Sequence, residues 1–370
     1  MAQLFDTLKL RDIVLTNRIG MPSMCQYSAR DGMANDWHFV HYSSRSVGGA
    51  ALMNMEATAV SPEGRISPAD LGLWNDEQIA PLARIVRFVR EQGIVIGLQL
   101  AHAGRKASVS LGWQAQRPLG AKEGGWPVLA PSAIAFGDGY PVPHELDAAG
   151  IKQLVAQFVA STRRAREAGF QTVEIHAAHG YLLHQFLSPL ANQRSDAYGG
   201  SFANRTRLVR EVVSAVRAEW PERLPLLIRL SATDWVDGGW TADETVELCR
   251  ALKGLGVDLI DVSTGGMVPT AQIPVGPGFQ TEFAERVRRE ADIPTSAVGL
   301  ITSPAQADHI VRSGQADMVL LGREVLRDPY WPLHAAQALG QTASWPAQYL
   351  RAAPAGSIER RSSVMAEQIS

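Results

Sequence analysis

The chain has 370 residues, 46% of them hydrophobic and 19% charged, and its net charge is -2. This composition suits one globular domain over residues 1–370, long enough for a (β/α)8 barrel, and it excludes the basic field that nucleic acid or an anionic membrane surface requires. Cys25 and Cys249 lie far apart, which excludes a disulfide framework, and with no apolar run of about 18 residues and no leader pattern the expected location is cytoplasmic.

Residues 8–15 alternate around Arg11 and Asp12 and predict an N-terminal β-hairpin, a lid over the bottom of the main fold. Strand-like apolar runs then recur at 18–21, 51–55, 94–100, 172–175, 226–230, 259–262, 295–298 and 318–321. Segments of helical period lie between most of them: Ile79, Leu82, Ile85, Val86 and Val89; then Ile151, Leu154, Val155, Phe158, Val159 and Thr162; then Leu208, Val209, Val212, Val213 and Val216. Gly93, Gly169, Gly256 and Gly314 stand where helices stop, Thr241 with Glu244 forms a capping box, and Ser303-Pro304 opens a helix. Eight alternations of strand and helix predict an α/β (β/α)8 TIM barrel rather than an open doubly wound sheet. Residues 105–146 form a long insertion after strand three, rich in Gly, Pro and Trp, of the kind that covers substrates, and a C-terminal tail runs over about 340–370.

Residues just past barrel strands converge on one face, so they draft the active site. Ser23, Met24, Cys25, Gln26 and Tyr27 follow strand one, Glu56 and Ala57 strand two, and Gln99 and His102 close strand three. The stretch Glu174 to Tyr181 (EIHAAHGY) leaves strand four. Continued as a turn of helix, it sets His176 and His179 on one face to donate to one oxygen, with Tyr181 aside as a separate acid. A zinc half-site or a structural histidine pair reads the same motif, but no third ligand with convincing spacing stands nearby. Strand five ends at Arg229, and Gly299 and Gly322-Arg323 follow strands seven and eight, where this fold grips phosphate. Opposite such a phosphate site, Gln99 and Arg229 suit the edge of a flavin ring: an amide for the pyrimidine edge and a cation for N1 of the reduced ring. No GxGxxG follows a strand, and GGMVPT at 265–270 is too weak to replace it.

Over nearly its whole length the sequence resembles the old yellow enzyme family of flavin-dependent ene reductases, in the branch that includes the xenobiotic reductases. The resemblance rests on Asn17-Arg18 leading into PSMCQY at 22–27, EATAV at 56–60 with Gly64-Arg65, QLAHAGRK at 99–106, the stretch EIHAAHGY, and above all NQRSDAYGGSFANR at 192–205. It implies non-covalent FMN inside the barrel, with NADPH or NADH as hydride donor. Pro22, Ser23, Met24, Ala57, Gln99 and Arg229 would hold the ring, and Gly299, Gly322 and Arg323 the phosphate. Cys25 marks the branch and would sit near the flavin, tuning its potential. His176 and His179, helped by Tyr27, would bind the carbonyl of an enone or enal. Arg351, in QYLR at 348–351, resembles the arginine that some members pass into the neighbouring subunit of a homodimer or homotetramer.

The implied reaction is reduction of an activated C=C bond, with hydride from flavin N5 to the β carbon and a proton from Tyr181 to the α carbon. Reduction of quinones, nitro compounds or nitrate esters by the same kind of barrel is an alternative. A metal-dependent hydrolase using His176, His179 and Glu174 is another, although no metal site is expected.

Overall fold

Leu8–Leu10 and Ile13–Leu15 pair antiparallel as the expected hairpin in the computed structural model, which describes residues 3–358. Leu10 and Leu15 turn onto Leu52, Val95, Leu227, Leu259 and Met318, which lie at the starts of barrel strands. The hairpin therefore seals the N-terminal end of the barrel. Closure there removes apolar side chains from water and leaves the opposite end as the open face.

Eight parallel strands close the barrel: Ile19–Met21, Leu52–Ala59, Val95–Ala101, Thr172–Ala177, Leu226–Ser231, Leu259–Ser263, Thr295–Val298 and Met318–Leu320, the last pairing back to the first through Val319 and Ile19. Between them, Ile79–Glu91, Ala148–Glu167 and Arg207–Glu219 present the aliphatic stripes that their periodicity predicts, buried against the sheet. Thr241 and Glu244 complete the predicted capping box, and Ser303 caps the helix that Pro304 opens. Gly93 and Gly169 take φ of +79° and +88°, the left-handed stops that a Cβ would strain.

Two strands run well past their apolar runs. Strand two continues to Ala59 through a bulge at Met55/Ala57, so Glu56 and Ala57 lie within it rather than past it. Strand four continues to Ala177, which puts His176 inside the strand, and Arg229 lies within strand five, Leu226–Ser231. Ladder pairing does not stop where hydrophobicity stops, because the upper interior of this barrel is polar. Register sets Gln99 beside Glu174, His176 beside Arg229, and Arg229 beside Asp261.

Hydrophobic periodicity does not reveal the helix Asp36–Ser46, whose buried face is His38, His41, Tyr42, Ser43 and Ser46 rather than an aliphatic stripe. The insertion carries single turns of 3-10 helix and a short parallel pair, Leu129–Ala130 with His144–Glu145. Buried Arg105 ties it down by donating to the carbonyls of Ile134, Ala135 and Met267. Of the expected tail, residues 359–370 lie outside the described residues.

Leu15, 1% exposed under the barrel, gives a direct test of the seal. Leu15→Ala is expected to cost about 2–5 kcal/mol of stability, read as a lowered thermal midpoint; an unchanged midpoint would show that the hairpin is dispensable.

Candidate active site

Beyond strand four the chain does not form the expected helical turn. His179 takes φ +58° and Gly180 φ +72°, and helix Leu182–Leu187 begins only after Tyr181, its N-cap. The reason is a close backbone crossing: a Cβ on Gly180 would stand 2.0 Å from the Gly266 carbonyl oxygen. Lys106 Nζ donates to both carbonyls of that crossing, His179 at 2.7 Å and Gly266 at 2.9 Å, and the His179 N–H donates to Ser231 Oγ at 2.9 Å. Strand end and left-handed turn together still bring the two imidazoles into one place. The rings of His176 and His179 lie 5.2 Å apart at 89°, and the ring of Tyr181 lies 5.0 Å from that of His176.

His176 accepts the Ala178 N–H at Nδ1 (3.3 Å), so the neutral ring carries its proton on Nε2. His179 Nε2 pairs with Ser263 Oγ at 2.7 Å, and Ser263 Oγ lies 3.3 Å from Gln280 Oε1, which Thr264 already engages at 2.7 Å. Burial, and then the charge of Arg229, holds both imidazoles well below the usual histidine range. They are neutral donors at pH 7. Burial, and then the nearness of the ionisable groups of Cys25, Tyr27 and Asp70, pushes the Tyr181 phenol well above its ordinary value, so it keeps its proton.

The loop after strand one, Ser23 to Ser28, is half-exposed toward this mouth. Ser23 Oγ donates to the Met55 carbonyl at 2.8 Å, and the Gln26 N–H donates to Glu56 Oε2 at 2.7 Å. Glu56 also accepts from the Tyr42 hydroxyl at 3.2 Å and has His38 Nε2 at 3.5 Å. The unforeseen helix thus anchors the loop through one buried carboxyl, which burial raises to about 8. Tyr27 takes φ +48° at the loop's turn and meets Trp113 of the insertion edge-on at 6.2 Å. Burial raises the Cys25 thiol, which therefore remains protonated.

Deeper in the barrel, Gln99 Nε2 donates to Glu174 Oε1 at 2.7 Å and Asn54 Nδ2 to Glu174 Oε2 at 3.1 Å. Arg229 Nε lies 2.9 Å from Asp261 Oδ2. The Gln99 oxygen and the terminal nitrogens of Arg229 hydrogen-bond to no described residue. Across the mouth, Arg323 is exposed and has no carboxylate partner among the described residues. Gly322 abuts Met24 and Pro22, which lie 3.5 and 3.7 Å from where its Cβ would be. Gly299 takes φ +127°, with Phe279 2.9 Å from its would-be Cβ, so this loop also requires glycine. An open amide oxygen, an open buried guanidinium and an unpaired arginine form a polar set that fits a planar amide-edged ring with a phosphate tail.

The structure thus brings together Pro22, Ser23, Met24, Cys25, Tyr27, Ala57, Gln99, His176, His179, Tyr181, Arg229, Gly299, Gly322 and Arg323 around one mouth. Arg351 is not among them: it stands exposed in the 3-10 segment Ala347–Ala352 and shares no hydrogen bond or ring contact with the others. No group of three or more His, Cys, Asp or Glu among the described residues is placed to hold a metal, and Glu174, the acid of the hydrolase reading, is engaged by Gln99 and Asn54. Ser263 and Lys106 escape a sequence-based list of site residues, since strand-end serines and buried lysines carry no sequence signal of their own.

The profile of the NADH:flavin oxidoreductase / NADH oxidase family matches residues 3–341. The chain is 48% identical over 350 residues to an NADPH dehydrogenase of Geobacillus thermodenitrificans, covering 94% of this chain and 98% of that one. The chain belongs to this family, the old yellow enzymes. An NADPH dehydrogenase of Listeria monocytogenes is 47% identical over 354 residues, covering 95% of this chain and 99% of the relative. Among solved structures, morphinone reductase superposes with a TM-score of 0.77 at 27% identity, covering 96% of this chain and 93% of that one. FMN is the flavin of the family, and the open polar groups of Gln99, Arg229 and Arg323 are this chain's complement to it.

The buried Glu56, raised from 4.5 to about 8, and Glu174, raised from 4.5 to about 8 mainly by burial and then by Asp261, make stability depend on pH. Between these values the folded state keeps protons that the unfolded chain releases, so stability falls as pH rises through the window. The depressed histidines contribute the opposite slope below about pH 6.5, so the test is the drop in thermal midpoint from pH 7 to pH 8, which Glu56→Gln is expected to reduce; an equal drop in both proteins would contradict the assignment.

Proposed function

We propose that this FMN-dependent NADPH dehydrogenase passes its reducing equivalents to the activated C=C bond of α,β-unsaturated carbonyl compounds, enones and enals. The observation that carries the reading is the trio at strand four: two neutral imidazoles with ring centres 5.2 Å apart and a protonated phenol 5.0 Å from one of them. Bound FMN supplies the hydride chemistry, taking reducing equivalents from NADPH. Pro22, Ser23, Met24, Cys25, Ala57, Gln99 and Arg229 would hold its ring, and Gly299, Gly322 and Arg323 its phosphate.

The chain's own residues act on the substrate. His176 Nε2–H donates to the carbonyl oxygen. His179 donates from Nδ1 when the Ser263 hydroxyl donates to its Nε2, the shorter of that hydroxyl's two contacts. Tyr27, above the same mouth, adds a third donor. Negative charge grows on the carbonyl oxygen only as the β carbon is reduced, so these donors stabilise the transition state more than the bound substrate. Tyr181 then gives its proton to the α carbon. An acid placed for carbon protonation is what reduction of quinones or nitro compounds does not need, and its presence favours the ene reductase reading. Arg351, exposed on its own subunit, would serve the site of a neighbouring copy in a homodimer or homotetramer.

In an anaerobic cuvette NADPH should bleach the flavin band and a cyclic enone restore it; bleaching without recovery would turn the reading toward quinones or nitro compounds. Tyr181→Phe is expected to leave bleaching intact while slowing recovery by about 100-fold or more, and equal rates in both half-reactions would remove Tyr181 from the role. His176→Ala should cost about 2–4 kcal/mol in kcat/KM for the enone, with flavin reduction far less affected.

A further inference from the structure

A small cavity of about 10 Å³ lies beside Tyr181, walled by Ala57, Ala59, Ala101 and their neighbours. That is room for one water. Of its lining residues, only Asp70 and Tyr181 carry polar side chains. Asp70 is 3% exposed and takes three hydrogen bonds from its own turn: Ser67 N–H at 3.0 Å and Ser67 Oγ at 2.7 Å on Oδ1, and the Ile66 N–H at 2.7 Å on Oδ2. A carboxyl has about four lone-pair sites, so one on Oδ2 is left for a water in the cavity.

We propose that Asp70, through a single water in this cavity, resupplies the proton that Tyr181 gives to the substrate. The proposal rests on Tyr181 being the acid. As the α carbon gains its C–H bond the Tyr181 O–H bond breaks, and the phenolate takes a proton from the water. The water is made whole by the proton of the neutral Asp70 carboxyl, and the carboxylate is reprotonated from solvent before the next turnover. One proton is consumed per cycle and no electrons move along this path.

The surroundings suit a donor. Burial raises Asp70 to about 6, against the hydrogen bonds of its turn and the opposing charge of Arg65, so the neutral donor form is the majority below pH 6 and a minority at pH 7. Once it has given up its proton, its charge opposes ionisation of Cys25, Tyr27, Glu56 and Tyr181, which all face this region. A phenolate at Tyr181 next to the ionised carboxylate is short-lived, with Tyr140 adding to the same effect. A route that returns its proton at once keeps the acid ready for the next substrate.

The test compares Asp70→Asn and the cavity-filling Ala101→Val in the FMN-loaded enzyme, with a cyclic enone and a quinone as alternative acceptors. Each variant is expected to lower enone turnover by about 10-fold or more while NADPH bleaching and quinone turnover stay within about twofold, and to add nothing in a Tyr181→Phe background. A crystal structure should show one water within hydrogen-bond distance of both Asp70 and the Tyr181 hydroxyl. Equal losses with enone and quinone, unchanged enone turnover in both variants, or a dry cavity would each overturn the relay. If Tyr181→Phe slows the enone and the Asp70 and Ala101 variants do not, the relay alone fails. If Tyr181→Phe itself leaves enone turnover unchanged, the assignment of the acid fails and the relay with it. Should Asp70→Asn not fold, Ala101→Val decides.

Discussion

Placing a guanidinium inside a barrel requires carboxyl groups within reach, and Arg229 has Asp261 at 2.9 Å, with Glu174 near enough for the cation to oppose that acid's rise. Two buried acids share one cation, so burial lifts both of them and they resist carrying two full charges together. The arrangement adds little to stability by itself, because desolvating such groups offsets much of their attraction. What it fixes is the electrostatics of the mouth. Arg229 is the largest cause after burial for the low values of His176 and His179, and it keeps both imidazoles neutral. Gln99, held by Glu174, is oriented by the same buried belt.

Around that belt, two backbone devices fix the reacting side chains. One is the left-handed crossing of His179 and Gly180 against Gly266, pinned by the buried ammonium of Lys106. The other is the loop after strand one, held to Glu56 and through it to Tyr42 of the first helix. Both keep flexible connections from drifting at a site where an ångström matters. The insertion adds Trp113 against Tyr27, and Arg105 donates to the carbonyls of Ile134 and Ala135 in it, so the order of the insertion and that of the loop after strand one are joined.

Much of the barrel was legible because its local signals agreed. The aliphatic stripes, the glycine stops and the capping residues all pointed to the same elements, and they sit on helices or at helix ends, whose form depends on neighbours in sequence. Apart from the turn after strand four, which the Gly266 crossing forces left-handed, the errors are of one kind. Strands two and four outlast their apolar runs because Glu56 and His176 are buried among polar partners that sequence cannot place. Helix Asp36–Ser46 escaped notice for the same reason, since its buried face is histidine, tyrosine and serine.

By itself the sequence determined that eight strands recur with helices between most of them, that a hairpin precedes them, and that two histidines and a tyrosine stand together at the end of strand four, because periodicity, caps and adjacency are properties of the chain read locally. Tertiary structure alone decided that His176 stands beside Arg229 and Arg229 beside Asp261, that His179 turns left-handed to meet Ser263, and that Asp70 shares a cavity with Tyr181. Those relations come from the register of a closed barrel and from the crossing of segments distant in sequence, where sterics and burial, not local preference, select the conformation.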